Sequence, residues 1–167
     1  YRSSRGLGDV YKRQIMHILI TRQLDQSKNF STLLNELNIK NTIFPVIKIK
    51  KIKLNEKQIE NIKKSDLIIF TSQNSVTALI DSLNISDLDG KIIAAIGKST
   101  SKLLEDIGIK VDICPESDFT SETLFKEIKK KNIKNKKVTI IKGIGGRHFL
   151  QDNLSQDNHV YADINVY

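Results

Sequence analysis

Four short stretches of the 167-residue chain combine small hydroxyl, amide and glycine residues in a way that suits the binding of anions: Thr71-Ser72-Gln73-Asn74-Ser75, Gly97-Lys98-Ser99-Thr100-Ser101, Phe119-Thr120-Ser121-Glu122 and Lys142-Gly143-Ile144-Gly145-Gly146-Arg147. Each reads as a turn at the entrance to a helix, where unpaired backbone N–H groups and the helix dipole favour carboxylates or phosphates. Taken singly, each has a plainer explanation, because Ser, Thr and Asn cap helices and glycine permits tight turns. Capping is the better reading of any one of them. Four on the same edge of one sheet would instead form a rim of donors.

Other chemistries find little support. Cys114 is the only cysteine, so the chain can form no internal disulfide and no cysteine-based metal site. His17, His148 and His159 are scattered without metal-ligand spacing, and no metal is expected. Gly97-Lys98-Ser99-Thr100 ends like a phosphate-wrapping loop, but the glycine required five positions earlier is Ile92. Gly143, Gly145 and Gly146 suggest a dinucleotide fingerprint, yet His148 stands at its third glycine position. There is no Gly-x-Ser-x-Gly elbow and no pair of carboxylates at a strand end.

The formal charge is +8, concentrated in runs such as Lys129-Lys130-Lys131 and Lys136-Lys137. These lysines alternate with Ile and Asn and carry no interleaved aromatics to stack on bases, so nucleic acid is not an expected partner. A polyanionic small substrate suits the same balance. The apolar runs are strand-sized and too short to cross a bilayer, which together with the single cysteine predicts a soluble protein of a reducing compartment, the cytoplasm.

The elements that must position the four turns follow from periodicity. Strand-like runs occur at Ile18 to Thr21, Thr42 to Val46, Leu67 to Thr71, Ile92 to Ile96, Val111 to Cys114, Val138 to Ile141 and Val160 to Val166. Amphipathic helices separate most of them, as at Phe30-Leu33-Leu34-Leu37, Val76-Leu79-Ile80-Leu83 and Leu124-Phe125-Ile128. This alternation predicts an α/β fold with open parallel sheets.

Residues 1–15 lack either periodicity and an apolar signal-peptide core, and are expected to be a non-native or disordered leader. Residues 16–47 hold two strands and a helix, the incomplete first part of one domain. Residues 48–66 form a charged, alternating connection and a first helix. Residues 67–167 supply five strands, enough for one complete domain. Two strands and a helix cannot cover their own apolar faces, so the chain is expected to continue beyond Tyr167 and complete the first domain.

Taken in order, Ile18-Leu-Ile-Thr-Arg22, Phe44-Pro-Val-Ile47, Leu67-Ile-Ile-Phe-Thr-Ser-Gln-Asn-Ser-Val76, Ala95-Ile-Gly-Lys-Ser-Thr100, Phe119-Thr-Ser-Glu122, Lys142-Gly-Ile-Gly-Gly-Arg147 and Ile164-Asn-Val-Tyr167 resemble the uroporphyrinogen-III synthases. The resemblance implies two flavodoxin-like domains, the second inserted into the first, and a monomer. It implies a cyclising lyase of tetrapyrrole biosynthesis that takes hydroxymethylbilane, inverts its last pyrrole ring and loses water without a cofactor. Hydroxymethylbilane synthase, the preceding enzyme, is the implied partner.

Residue by residue, the resemblance assigns substrate binding to Arg22, Ser72, Asn74, Thr100, Ser121, Gly145, Gly146 and Arg147. It makes Tyr167 the candidate for assisting departure of the hydroxyl group, with an aromatic that fills the hinge as the equal alternative. Gln23, Gln73 and Lys98 stand where the family often has proline, and Lys142 where it often has arginine, which loses bidentate carboxylate binding. The chain by itself is expected to have little synthase activity. The rival reading is a non-catalytic flavodoxin-like module that binds an anionic ligand.

Overall fold

The computed structural model describes residues 16–157 and 159–167; the expected leader at residues 1–15 lies outside them. The chain divides into two compact units, one ending at Ile49 and the other spanning Lys50–Tyr167.

In the first unit β1 (His17–Ile20) pairs in parallel with β2 (Lys40–Ile43), and α1 (Leu24–Glu36) makes the crossover. The turn into α1 is tied by Ser27, a fully buried residue whose hydroxyl donates to the carbonyls of Arg22 at 3.0 Å and Gln23 at 2.9 Å. Regular pairing in β2 ends at Ile43 rather than Val46, although Phe44 and Val46 still donate to Ile20 and Thr21. Pro45 lies between them and has no N–H to continue the ladder.

The second unit is built on a four-stranded parallel sheet of β3 (Leu67–Phe70), β4 (Ile92–Ala95), β5 (Lys137–Lys142) and β6 (Val160–Asn165), in the order β4-β3-β5-β6. Leu67, Ile68, Ile69 and Phe70 are all fully buried, as a strand covered on both faces must be. Alternate residues feed two cores. Ile68 and Phe70 pack with Leu79 and Leu104, whereas Leu67 and Ile69 pack with Leu124, Ile128 and Leu154. Those partners come from α3 (Gln73–Ile80), α4 (Lys98–Asp106), α5 (Ser121–Lys130) and α6 (Phe149–Gln156).

The connection expected to be an exposed strand or linker has no regular structure between Ile47 and Leu54, and the division between the units falls within it. Ile52 donates to the Val166 carbonyl at 2.9 Å, and Leu54 is buried. The following helix, α2 (Glu56–Lys63), starts on a capping box in which Asn55 and Gln58 satisfy each other's backbone N–H.

Where sequence periodicity suggests a fifth strand, Val111 to Cys114, the structure has a single bridge between Ala94 and Ile113. Asp112 and Ile113 both donate to the Ile93 carbonyl, and the Asp112 carboxylate takes the Ile93 N–H at 3.0 Å. A side chain thus replaces the backbone acceptor, the pairing bulges, and Pro115 follows where the ladder would continue. The helix α6 was not expected from periodicity. Among the described residues, no helix is long and apolar enough to cross a membrane.

Candidate functional site

Because the strands of the second unit are parallel, the turns after β3, β4 and β5 emerge on one edge of the sheet, together with the turn into α5. Side chains link neighbouring turns. Gln73 at the start of α3 donates through Nε2 to the Ser99 carbonyl in the first turn of α4, at 3.1 Å. Phe119 packs on Gly97, where an added Cβ would come within 3.2 Å of the Phe119 Cβ, and Lys98 lies over the Phe119 ring at 5.7 Å. Arg147 grips the Glu122 carboxylate with two guanidinium nitrogens at 2.7 and 3.3 Å, tying the glycine loop to α5.

Tyr167 joins the first and the last of these turns. Its hydroxyl lies 2.9 Å from Ser72 Oγ, its carbonyl accepts from Ile144 N–H at 2.8 Å, and its ring covers Gly143. A Cβ on Gly143 would sit 2.6 Å from ring atom Cε2, so only glycine allows this approach. Ser72 is the N-cap of α3 and accepts from Ser75 N–H at 3.1 Å, while the Ser75 hydroxyl accepts from Ser72 N–H at 3.2 Å. Either hydroxyl can donate across the Ser72–Tyr167 contact, and in one arrangement Ser72 gives its proton to the Tyr167 oxygen. The phenolic proton of Tyr167 would then be available to a third group.

Beneath the glycine loop is a pocket of about 290 Å³ whose lining includes Ser121, Lys142, Gly145, Gly146, Arg147 and Tyr167. Successive left-handed conformations at Gly145 (φ 82°) and Gly146 (φ 95°) curl the loop over it, which few other residues would tolerate. Apolar side chains of Ile96, Ile140, Ile144 and Leu150 complete the walls.

The expected site residues divide accordingly. Ser121, Gly145, Gly146, Arg147 and Tyr167 line one pocket, and Ser72 adjoins it through Tyr167. Asn74 lies half-buried in the first turn of α3. Thr100 sits behind the rim, 3% exposed, with its N–H bonded to the Gly97 carbonyl. Arg22 belongs to the first unit, exposed at the turn between β1 and α1. Glu122 and Gln151 escaped the sequence reading. Glu122 belongs to one of the four turns but its type alone does not announce the Arg147 partner, and Gln151 lies on the helix that periodicity does not reveal.

The carboxyl of Glu122 is held below the usual range, first by a hydrogen bond from its own backbone N–H and then by Arg147. Burial pushes the Cys114 thiol up, outweighing a hydrogen bond from Ser101. Among the described residues no group of three His, Cys, Asp or Glu side chains could hold a metal ion.

Fold and rim together define a parallel α/β protein whose sheet edge carries one small pocket, lined from the turns after β3 and β5, the start of α5 and Tyr167. Residues 28–167 match the family model described as uroporphyrinogen-III synthase HemD. The chain belongs to the uroporphyrinogen-III synthase family. It is 32% identical over 146 residues to a putative uroporphyrinogen-III synthase of Methanocaldococcus jannaschii, covering 85% of this chain and 59% of that protein. It is 26% identical over 158 residues to the uroporphyrinogen-III synthase of Proteus mirabilis, covering 91% and 79%. A crystal structure of a mutant uroporphyrinogen III synthase from Thermus thermophilus shares the fold with a TM-score of 0.64 at 16% identity, over 90% of this chain and 61% of that one.

Proposed function

We propose that this chain supplies the substrate-gripping unit of a uroporphyrinogen-III synthase, which cyclises hydroxymethylbilane with inversion of its last ring and loss of water. The observation that carries this reading is the joining of Ser72, Tyr167 and the Gly143–Arg147 loop around one pocket at the carboxyl edge of the sheet. Donors arranged along that edge would hold the substrate's side-chain carboxylates and bring the two ends of a flexible linear molecule together. Orientation of this kind accelerates ring closure without a cofactor. In this reading Ser72, Asn74, Ser121, Gly145, Gly146 and Arg147 bind, Thr100 fixes the turn behind them, and Arg22 contributes from the first unit.

In this reading Tyr167 assists departure of the hydroxyl group by donating a hydrogen bond to it. With Ser72 donating to the Tyr167 oxygen, the phenolic hydrogen is free to bond to the leaving hydroxyl and ease cleavage of its C–O bond. Residues 16–47 would begin one flavodoxin-like domain and residues 67–167 would form the second, with residues 48–66 supplying the linker and that second domain's first helix. The protein would act as a cytoplasmic monomer, fed by hydroxymethylbilane synthase.

The test is product-isomer analysis of a protein that carries this chain, supplied with freshly generated hydroxymethylbilane. Isomer III should dominate, and Tyr167→Phe should slow its formation without releasing the substrate. Isomer I as the sole product would refute the assignment.

A further inference from the structure

Lys142 ends β5 in the wall of the pocket and is only 9% exposed. A lysine so covered normally has its ammonium satisfied by close acceptors. Here its partner is Asp163 on β6, with Nζ 3.7 Å from Oδ2, beyond the 2.7–2.9 Å of a charge-assisted hydrogen bond. The same Asp163 oxygen is taken by Gln151 Nε2 at 2.7 Å. The ammonium therefore keeps hydrogens for another acceptor.

Gln151 presents the complementary shortage. It is 4% exposed, lines the pocket from α6, and its Oε1 is buried with no hydrogen-bond donor. Turning the amide over would aim the oxygen at the Asp163 carboxylate, so the orientation is fixed by chemistry. A buried carbonyl oxygen left in this state is costly and calls for an N–H donor.

The pocket thus has one spare cationic donor, one spare neutral acceptor covered within its wall and reached by a small turn of the Gln151 side chain, and apolar walls of Ile96, Ile140 and Leu150. Its volume of about 290 Å³ lies at the bottom of the range for small-molecule sites, which suits a single ring with a short arm. We propose that it is the subsite for one ring of the substrate, with the ring's carboxylate arm on Lys142 and its N–H on Gln151 Oε1, Asp163 holding both side chains in place. This rests on the tetrapyrrole reading above and adds which groups recognise one of its rings.

The experiment titrates the 167-residue chain, labelled with ¹⁵N, with three probes followed by NMR: 3-(1H-pyrrol-3-yl)propanoic acid, its methyl ester, and its N-methyl derivative. The acid should shift the amides of Gly143 to Arg147 and of Gln151. Both derivatives should bind about tenfold more weakly, the size expected for losing one such hydrogen bond in a covered site. Lys142→Met should bind acid and ester alike, and Lys142→Arg should retain most of the preference for the acid.

Either derivative binding as tightly as the acid to the unmodified chain overturns the proposal, and that comparison needs no variant to fold. Isomer III production by a protein that nevertheless shows no such discrimination would overturn the subsite alone. Discrimination as described, without isomer III, would keep the subsite and sink the reaction assigned above.

Discussion

Gly143→Ala tests the junction on which the site depends. A methyl group at this position would meet Tyr167 Cε2 at 2.6 Å and Cζ at 2.7 Å, against the 3.5–4.0 Å of ordinary carbon contacts. The ring must retreat by about 1 Å, which takes the Ser72–Tyr167 hydrogen bond from 2.9 Å out of range. Losing that bond costs about 1 kcal/mol. Replacing glycine recovers about 0.4–1 kcal/mol by restricting the unfolded chain. Those two effects nearly cancel, but displacing the packed ring adds about 1–3 kcal/mol of overpacking cost, so the single variant should be destabilised, and the informative quantity is its coupling to Tyr167→Phe. In a double-mutant cycle by urea unfolding, Gly143→Ala should cost about 1 kcal/mol less when the phenol is already absent. Additivity within about 0.3 kcal/mol would refute the argument that the close approach at this glycine is what allows the Ser72–Tyr167 hydrogen bond.

Further outcomes follow from the same geometry. Ser72→Ala removes the helix cap of α3 together with the Tyr167 contact, and should lower stability by about 1–2 kcal/mol in chemical denaturation. Glu122→Gln takes away the charge that now occupies Arg147, and calorimetry should show tighter binding of a polycarboxylate tetrapyrrole with a steeper salt dependence. The Glu122 carboxyl is depressed in the folded chain, so its stabilising contribution is complete above its unfolded pKa and is lost as pH falls through the folded value. Arg147→Met should move its NMR titration midpoint upward, though not fully, since its own backbone N–H remains. Cys114, with its pKa raised by burial, should react with iodoacetamide at pH 8 more slowly than an unhindered thiol.

The parallel α/β character was legible because β3 is an uninterrupted apolar run and the core of β5 is broken only by Thr139, while helices such as α5 repeat apolar residues at three and four. The four turns were legible for a similar reason, since capping residues and glycines announce where strands give way to helices. The edge strand at Val111 to Cys114 was overread. Its alternation is real, but the Asp112 side chain competes for the ladder and Pro115 closes it, and neither effect shows in a hydrophobicity pattern. The helix α6 was missed because its buried apolar residues are few, Leu150 and Leu154 alone. That omission hid Gln151. Thr100 carried the right residue type for a rim position, yet its burial comes from packing around α4 that spacing cannot reveal. The tie between Gly143 and Tyr167 joins residues far apart in the chain, and only the folded sheet brings them together.

The central claim is that the carboxyl edge of the second unit's sheet is where an acidic, flexible substrate is held. Mapping amide shifts of the ¹⁵N-labelled chain on addition of uroporphyrinogen III tests it most directly. Saturable shifts are expected at Ser72 to Asn74, Ser121, Gly143 to Arg147 and Tyr167. Shifts centred instead on the opposite edge, around Asn132 to Lys137, or spread over the surface lysines without saturation, would contradict it.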